Sequence, residues 1–170
     1  MNSKDRRDNI LLRLLENNTP IKGAEFAKLY YVTRQIIVKD IAILRARGYN
    51  IIATPEGYII SNIEDNKIKF IVAVDHDAEN LKSELEIIIK YGGTIEDVIV
   101  EHPIYGEIKA NLMIRNLNDM NKFLDKYTNN NAKPLSILTN GVHLHTISVD
   151  NEESRELIKK DLKKNNFIVC

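Results

Sequence analysis

The sequence predicts an α+β protein in two parts: a small domain of three helices and a β-hairpin, then a larger two-layer α/β sandwich. Three observations predict it. The first 47 residues carry apolar side chains at helical spacing, and the next twelve read as two short apolar runs about a Pro-Glu-Gly turn. From Ile68 onward, β-branched runs interleave with helical-period runs whose faces are only partly apolar, the pattern of helices laid on a sheet. Between the two lies the polar stretch Ile63–Lys67, read as a linker that divides the chain into 1–62 and 67–170.

In Asp5–Leu15 the residues Ile10, Leu11, Leu14 and Leu15 form a helical stripe, and Asn17-Asn18-Thr19-Pro20 interrupts it. A short second helix is expected over Gly23–Tyr30, and Tyr31-Val32 turns the chain. Thr33 is a good N-cap for a third helix, Arg34 to Arg47, with Ile37, Ile41 and Leu44 on one face and Gly48 at its end. Opposite that stripe lie Gln35, Lys39, Ala42 and Ala46. A face combining small residues with an amide and a base can lie close in a DNA major groove, with Thr33, Arg34 and Gln35 at the base-reading end and Lys39 set for a phosphate. Three helices followed by a hairpin is the order of a winged helix-turn-helix. Val-Thr-Arg-Gln, Lys-Asp-Ile, Leu-Arg and Gly-Tyr-Asn-Ile-Ile followed by Glu-Gly-Tyr resemble the short winged helix-turn-helix of many bacterial repressors.

Composition agrees with that division. Apolar residues make up 44% and charged residues 28%, which excludes collagen-like and disordered classes. The net charge of zero hides an asymmetry: residues 1–60 hold ten Lys/Arg against six Asp/Glu, so a basic first third is joined to an acidic remainder, as expected where one part meets a polyanion. No apolar run reaches eighteen residues and the N-terminus lacks the apolar core of a signal peptide, so no membrane span is expected. The one cysteine, Cys170, fits a reducing cytoplasm.

In the second part a strand is expected over Ile68–Val74, ending in Asp75-His76-Asp77. A helix follows over Ala78–Tyr91, stopped by Gly92-Gly93. Strand character returns at Glu96–Glu101, is interrupted at His102-Pro103, and resumes over Tyr105–Ile114. A helix over Leu117–Tyr127 precedes a strand or hairpin in Leu135–Val149 about Asn140-Gly141, and Glu152–Lys163 forms the last helix before Phe167-Ile168-Val169.

Four histidines occur, and two stand one residue apart in Gly141-Val142-His143-Leu144-His145-Thr146. On a strand both imidazoles project from one face, so they make either a two-nitrogen clamp for a divalent metal or two half-buried sheet histidines satisfied by neighbours. His76 at a strand end and Glu84 one to two turns into the next helix can reach the same point. With His143 and His145 they offer three imidazoles and a carboxylate, a set suited to a borderline divalent cation such as nickel, zinc, iron or manganese, with room for a further ligand. Glu84 reads equally as a solvated helix residue, since Glu79 and Glu86 are charged neighbours.

Val-Asp-His76 with Glu84, then Glu101-His102-Pro103-Ile104-Tyr105-Gly106-Glu107-Ile108, then Pro134-Leu135-Ser136-Ile137-Leu138-Thr139-Asn140-Gly141-Val142-His143-Leu144-His145-Thr146-Ile147 resemble the three-histidine (3H) domain of niacin-responsive transcriptional repressors. Members of that family join it to a winged helix-turn-helix in this order and at nearly this length. The resemblance implies a cytoplasmic homodimer that binds operator DNA, senses nicotinate as co-repressor and represses genes for niacin uptake and NAD synthesis. It also implies one divalent metal per chain, held at His76, Glu84, His143 and His145. For the effector, the residues of suitable chemistry are His102, Tyr105, Arg115 and Thr139; His102 reads alternatively as a cap on its own turn and Arg115 as a surface ion pair.

Two other functions share these residues. One is a metal-responsive repressor in which the ion itself is the signal. The other is an enzyme with a metal-activated water in the second domain, fused to the DNA-binding domain. Against an enzyme, the chain has no glycine-rich phosphate loop, no nucleophile motif and no evident general base beyond Glu101 or Glu107, so no catalytic residue is assigned.

Overall fold

In the computed structural model, which describes residues 2–60 and 66–169, the chain divides into two compact units, Met1–Glu64 and Asp65–Cys170. Most of the expected linker and Cys170 lie outside the described residues.

In the first unit each helix opens on a side chain that takes up free backbone N–H groups. Asn2 accepts from Lys4 and Asp5 at the start of α1 (Ser3–Glu16), and Glu25 closes back on the Lys22 N–H at the start of α2 (Gly23–Leu29). Thr33 accepts from the Ile36 N–H at the start of α3 (Arg34–Ala46). Ile37, Ile41 and Leu44 of α3 meet Ile10 and Leu14 of α1 and Phe26 of α2 in one buried core. Burying each such aliphatic side chain contributes about 1.5–3 kcal/mol. The wing follows: β1 (Ile51–Thr54) pairs antiparallel with β2 (Gly57–Ile60), and Ile21 exchanges two 2.9 Å backbone hydrogen bonds with Tyr58, fastening the hairpin to the loop between α1 and α2. Asp40 of α3 is 2% exposed and draws Arg6 Nε to 2.6 Å and Arg7 Nη1 to 3.3 Å. Two of the ten basic residues of this unit are thereby turned inward, and the charge excess it offers to a partner is carried by the others.

The second unit is a four-stranded antiparallel sheet in the order β3 (Ile68–Asp75), β6 (Val142–Val149), β4 (Thr94–His102), β5 (Gly106–Ile114). Because neighbours are antiparallel throughout, the crossover through α4 (Leu81–Lys90) joins parallel strands β3 and β4 around β6, and that through α5 (Leu117–Asn129) joins β5 and β6 around β4. Interleaving two such units places β6 in the interior of the sheet. Its alternation sends His143, His145, Ile147 and Val149 to one face; Ile147 and Val149, with Val72 and Val74 of β3, meet Leu85 and Ile88 of α4, Met120 of α5, and Ile158 and Leu162 of α6 (Glu152–Lys164). The C-terminal Phe167–Val169 then pairs with the end of β3, Val74 opposite Ile168.

Two local expectations change. The helix expected from Ala78 begins at Leu81, because Asp77 accepts from Asn80 and tightens Ala78–Asn80 into a 3₁₀ turn. The possible hairpin in 135–149 is instead one strand preceded by a 3₁₀ turn, Leu135–Thr139. Asn140 and Gly141, both at positive φ, end that turn and reverse the chain into β6, so the first apolar run has no strand partner.

Candidate metal centre

The polar end of the β6 face meets the first turn of α4. Glu84 there has no exposed surface, although glutamate is among the residues least often buried, and three imidazoles surround it. His76 Nε2 lies 2.7 Å and His143 Nε2 3.5 Å from its Oε2, and His145 Nε2 lies 3.3 Å from its Oε1. The ligand atoms of His76, Glu84 and His143 all lie within 4.8 Å of one another; His145 approaches by the other carboxylate oxygen. Strand register explains the convergence, since His143 stands opposite Val74 and His145 opposite Val72, which brings the end of β3 and its following residue His76 beside them.

Hydrogen-bond accounting tests whether this set suits a cation. Each Nδ1 donates to a backbone carbonyl: His76 to Asp77 at 2.8 Å, His143 to Gly141 at 2.7 Å, His145 to Asp97 at 2.6 Å. In the neutral imidazoles the proton is therefore on Nδ1, and three Nε2 lone pairs face a carboxylate, acceptor against acceptor. Glu84 Oε1 and His145 Nε2 are buried without a hydrogen-bond partner. A divalent cation resolves this arrangement, and the nitrogen-rich donor set fits the borderline metals. Gly141 is needed for it: φ is +107°, and a Cβ would stand 2.7 Å from Asp75 Oδ1 and 3.0 Å from the His76 carbonyl oxygen.

Protons are the other way to satisfy these groups. Burial alone would lower the His76 and His145 pKa values, but the nearby Glu84 charge, with its hydrogen bond to His76, outweighs it and raises both. Burial alone would likewise raise Glu84, yet the surrounding imidazoles hold it well below the usual carboxylate range. Opposite pH slopes follow for the two states. In metal-free protein the raised histidines contribute stability that is complete below their ordinary 6.5 and fades as pH rises through the raised values; Glu84 contributes above its ordinary 4.5 and fades as pH falls through its lowered one. Chelator-treated protein should therefore lose denaturation free energy as pH rises above 6.5, while affinity for a divalent ion rises over the same range, since a ligating imidazole must be neutral. Parallel slopes in denaturation and metal-titration series would remove the ionised cluster from the account.

Thr33, the N-cap of α3, and Arg34, Gln35 and Lys39 within it are all exposed. Val38, which periodicity alone did not single out, is 45% exposed and precedes Lys39, adding an exposed apolar group to the helix. His102 lies at the end of β4, where its Nδ1 accepts from the Ile104 and Tyr105 N–H groups and its ring packs on Tyr105: the turn-cap role is built. Thr139 lines a cavity of about 560 Å³ with Glu101, Glu107, Val142 and His143, adjacent to that turn. Arg115 is not brought to this group. It follows Ile114, at the far end of β5 from Gly106, about 25 Å away at strand rise, so a ring-sized ligand beside His102 cannot reach it. A second cavity, about 370 Å³, opens on His76 itself and is lined by Asp77, Ser136, Asn140 and Gly141. Ser136 and Asn140 were not expected there, because the 3₁₀ turn that presents them has no periodic signature in the sequence.

Residues 69–170 match the family described as 3H domain, and residues 6–59 match a family described as HTH domain. Over 160 residues the chain is 42% identical to a protein of Thermotoga maritima named probable transcription repressor NiaR, covering 94% of this chain and 91% of that one. Over 151 residues it is 39% identical to transcription repressor NadR of Bacillus subtilis, covering 87% of this chain and 84% of that one. Among the described residues, no helix is long and apolar enough to cross a membrane.

Proposed function

Because this chain belongs to the NiaR-like family of repressors, which joins a helix-turn-helix domain to a 3H domain, we propose that it is a cytoplasmic homodimer that represses niacin-uptake and NAD-synthesis genes when nicotinate binds beside a divalent metal. The single observation that carries the sensor reading is the buried carboxylate ringed by three Nε2 lone pairs. His76, Glu84, His143 and His145 would hold the ion. When bound, it would supply a Lewis-acidic point for the pyridine nitrogen or carboxylate of nicotinate. The cavity opening on His76 would seat the ring, with Ser136 and Asn140 supplying polar contacts, and Thr139 and the His102–Tyr105 turn bordering the neighbouring cavity. Holding a ligand requires no chemistry from the ion, and the named relatives are repressors rather than enzymes.

DNA binding would run through α3. Arg34→Ala or Gln35→Ala should weaken specific binding by about 1–3 kcal/mol if the side chain reads a base edge, whereas Lys39→Ala should weaken binding to all sequences alike and lower the salt slope by about one. Competition binding against operator and random duplex at several salt concentrations separates the two; unchanged affinity in all three variants moves the reading surface elsewhere. A lone winged helix buries too little surface for tight specific binding, so a two-fold dimer on a pseudo-palindromic operator is expected.

Linkage supplies the decisive test. If nicotinate strengthens operator binding, operator must strengthen nicotinate binding by the same factor. Calorimetric titration of nicotinate, nicotinamide and NAD into metal-loaded protein, with and without operator, should show that reciprocal factor for nicotinate. An operator response to metal alone, unchanged by nicotinate, would establish the metal-responsive repressor instead.

A further inference from the structure

The carboxylate of Asp97 is 1% exposed on an interior strand and takes no part in the set described above. Its place in the sheet is irregular. Thr94 and Ile95 of β4 stand opposite Ser148 and Ile147 of β6, but Ile99 stands opposite Leu144, so the three residues Glu96–Val98 face only two, His145 and Thr146. This is a β-bulge with one extra residue on β4, and it disrupts the ladder beside His145. Asp97 repairs it in two directions. Its carbonyl accepts from His145 Nδ1 at 2.6 Å, and its Oδ1 accepts from the Thr146 N–H at 3.0 Å. From β5, Lys109 reaches the remaining oxygen, Oδ2, at 2.7 Å.

We propose that Asp97 is the positioning residue of the third imidazole: the bulge delivers the carbonyl that fixes the tautomer and direction of His145, and the side chain, bridged to Thr146 and Lys109, holds the bulge in that shape. The physical sense is the acceptor count. A regular β4–β6 ladder directs its carbonyls to backbone N–H groups; a residue displaced from it can turn its carbonyl toward a ring nitrogen instead. With Nδ1–H held there, His145 must present its Nε2 lone pair to the Glu84 side. Asp97 touches neither Glu84 nor the ring's Nε2, so it acts through His145 alone.

The inference rests on the metal-site reading for one of its consequences and stands without it for the other, so the test has two readouts on the full-length chain. In metal-free protein, long-range ¹H–¹⁵N spectra at a pH where the imidazole is neutral should show His145 as the Nδ1–H tautomer in wild type. Asp97→Ala should shift it to a tautomer mixture, and Asp97→Asn, which keeps an oxygen for Thr146, should restore the wild-type pattern. Cobalt(II) titration should then show Asp97→Ala binding about 10–100-fold more weakly than wild type, with an altered d–d spectrum, and Asp97→Asn falling between. Thermal unfolding of each metal-free variant identifies a general loss of fold, which would not change the tautomer of the folded fraction. An unchanged His145 tautomer in folded Asp97→Ala overturns the proposal. A wild-type chain that binds no cobalt, with the tautomer shift present, overturns the metal reading and leaves the positioning role standing.

Discussion

Protein carrying Glu84→Ala should leave purification without a bound divalent ion and should show no nicotinate-dependent gain in operator affinity. The carboxylate is the one anionic group at the centre of the cluster, with all three Nε2 atoms within 3.5 Å of its oxygens. If Glu84 is a ligand, removing it deletes a donor and part of the charge that offsets a dication, so the loss should exceed the about 10–100-fold typical of a change one shell further out. Folding must be separated from binding, because alanine also leaves a void among buried imidazoles. Glu84→Gln makes the separation: its amide keeps the shape and can donate to an Nε2 atom, satisfying one of the facing lone pairs, while contributing no charge. Metal analysis after desalting, with operator binding measured at saturating nicotinate, is the check. Stoichiometric ion in folded Glu84→Gln would remove Glu84 from the ligand set, and an intact nicotinate response without the ion would sink the metal-dependent sensor.

Asp40→Ala should have a comparably large effect in the other unit, on stability rather than on ligand. Asp40 is almost wholly buried on α3, the helix proposed to read DNA, and its removal leaves the largely buried Arg6 and Arg7 side chains without this acceptor. Breaking such a buried pair from one side costs about 3–5 kcal/mol. A unit of some sixty residues has little stability to spare, since small domains bury a limited fraction of their surface. Hydrogen exchange should therefore accelerate through α1, α2 and α3 while β3, β6 and α4 stay protected, and operator affinity should fall for every sequence. Replacing all three residues by leucine together should recover most of the stability, because no buried charge is then left unpaired. A loss below about 1 kcal/mol for Asp40→Ala would mean that water, not the two arginines, satisfies that carboxylate.

The elements were legible because their signals are local. The stripe Ile37, Ile41, Leu44 with Thr33 before it and Gly48 after it specifies α3 without reference to any other segment, and the structure buries those three residues against α1 and α2. The alternation through His143 and His145 similarly implies two imidazoles on one face. Legibility failed where two signals of equal strength competed. Leu135–Thr139 has a short apolar run suited to a strand or a turn, and only the pairing of β6 with β3 and β4 leaves it outside the sheet. Arg115 has the chemistry of an anion partner, but its distance from His102 is set by the antiparallel pairing of β4 with β5, which no single residue announces.

By itself the sequence determined two units and most of their elements, and it offered His76, Glu84, His143 and His145 as candidate donors and the exposed residues of α3 as a candidate face, because periodicity, capping and residue chemistry act over a few positions. Only the tertiary structure decided whether those donors converge. Glu84 was as readily a solvated helix residue as a ligand until the register of β3 against β6, and the seating of α4 on that face, put its carboxylate among three ring nitrogens with no exposure to water. The orientation of each imidazole was likewise decided by the path of the chain: for His145 by the Asp97 carbonyl in a bulge 48 residues away in sequence, for His76 by the carbonyl of the next residue, Asp77, where the chain leaves β3, and for His143 by the Gly141 carbonyl where the chain enters β6. The physical reason is that a buried polar atom is satisfied by whatever backbone the fold brings beside it, and backbone groups are alike in every residue of the sequence.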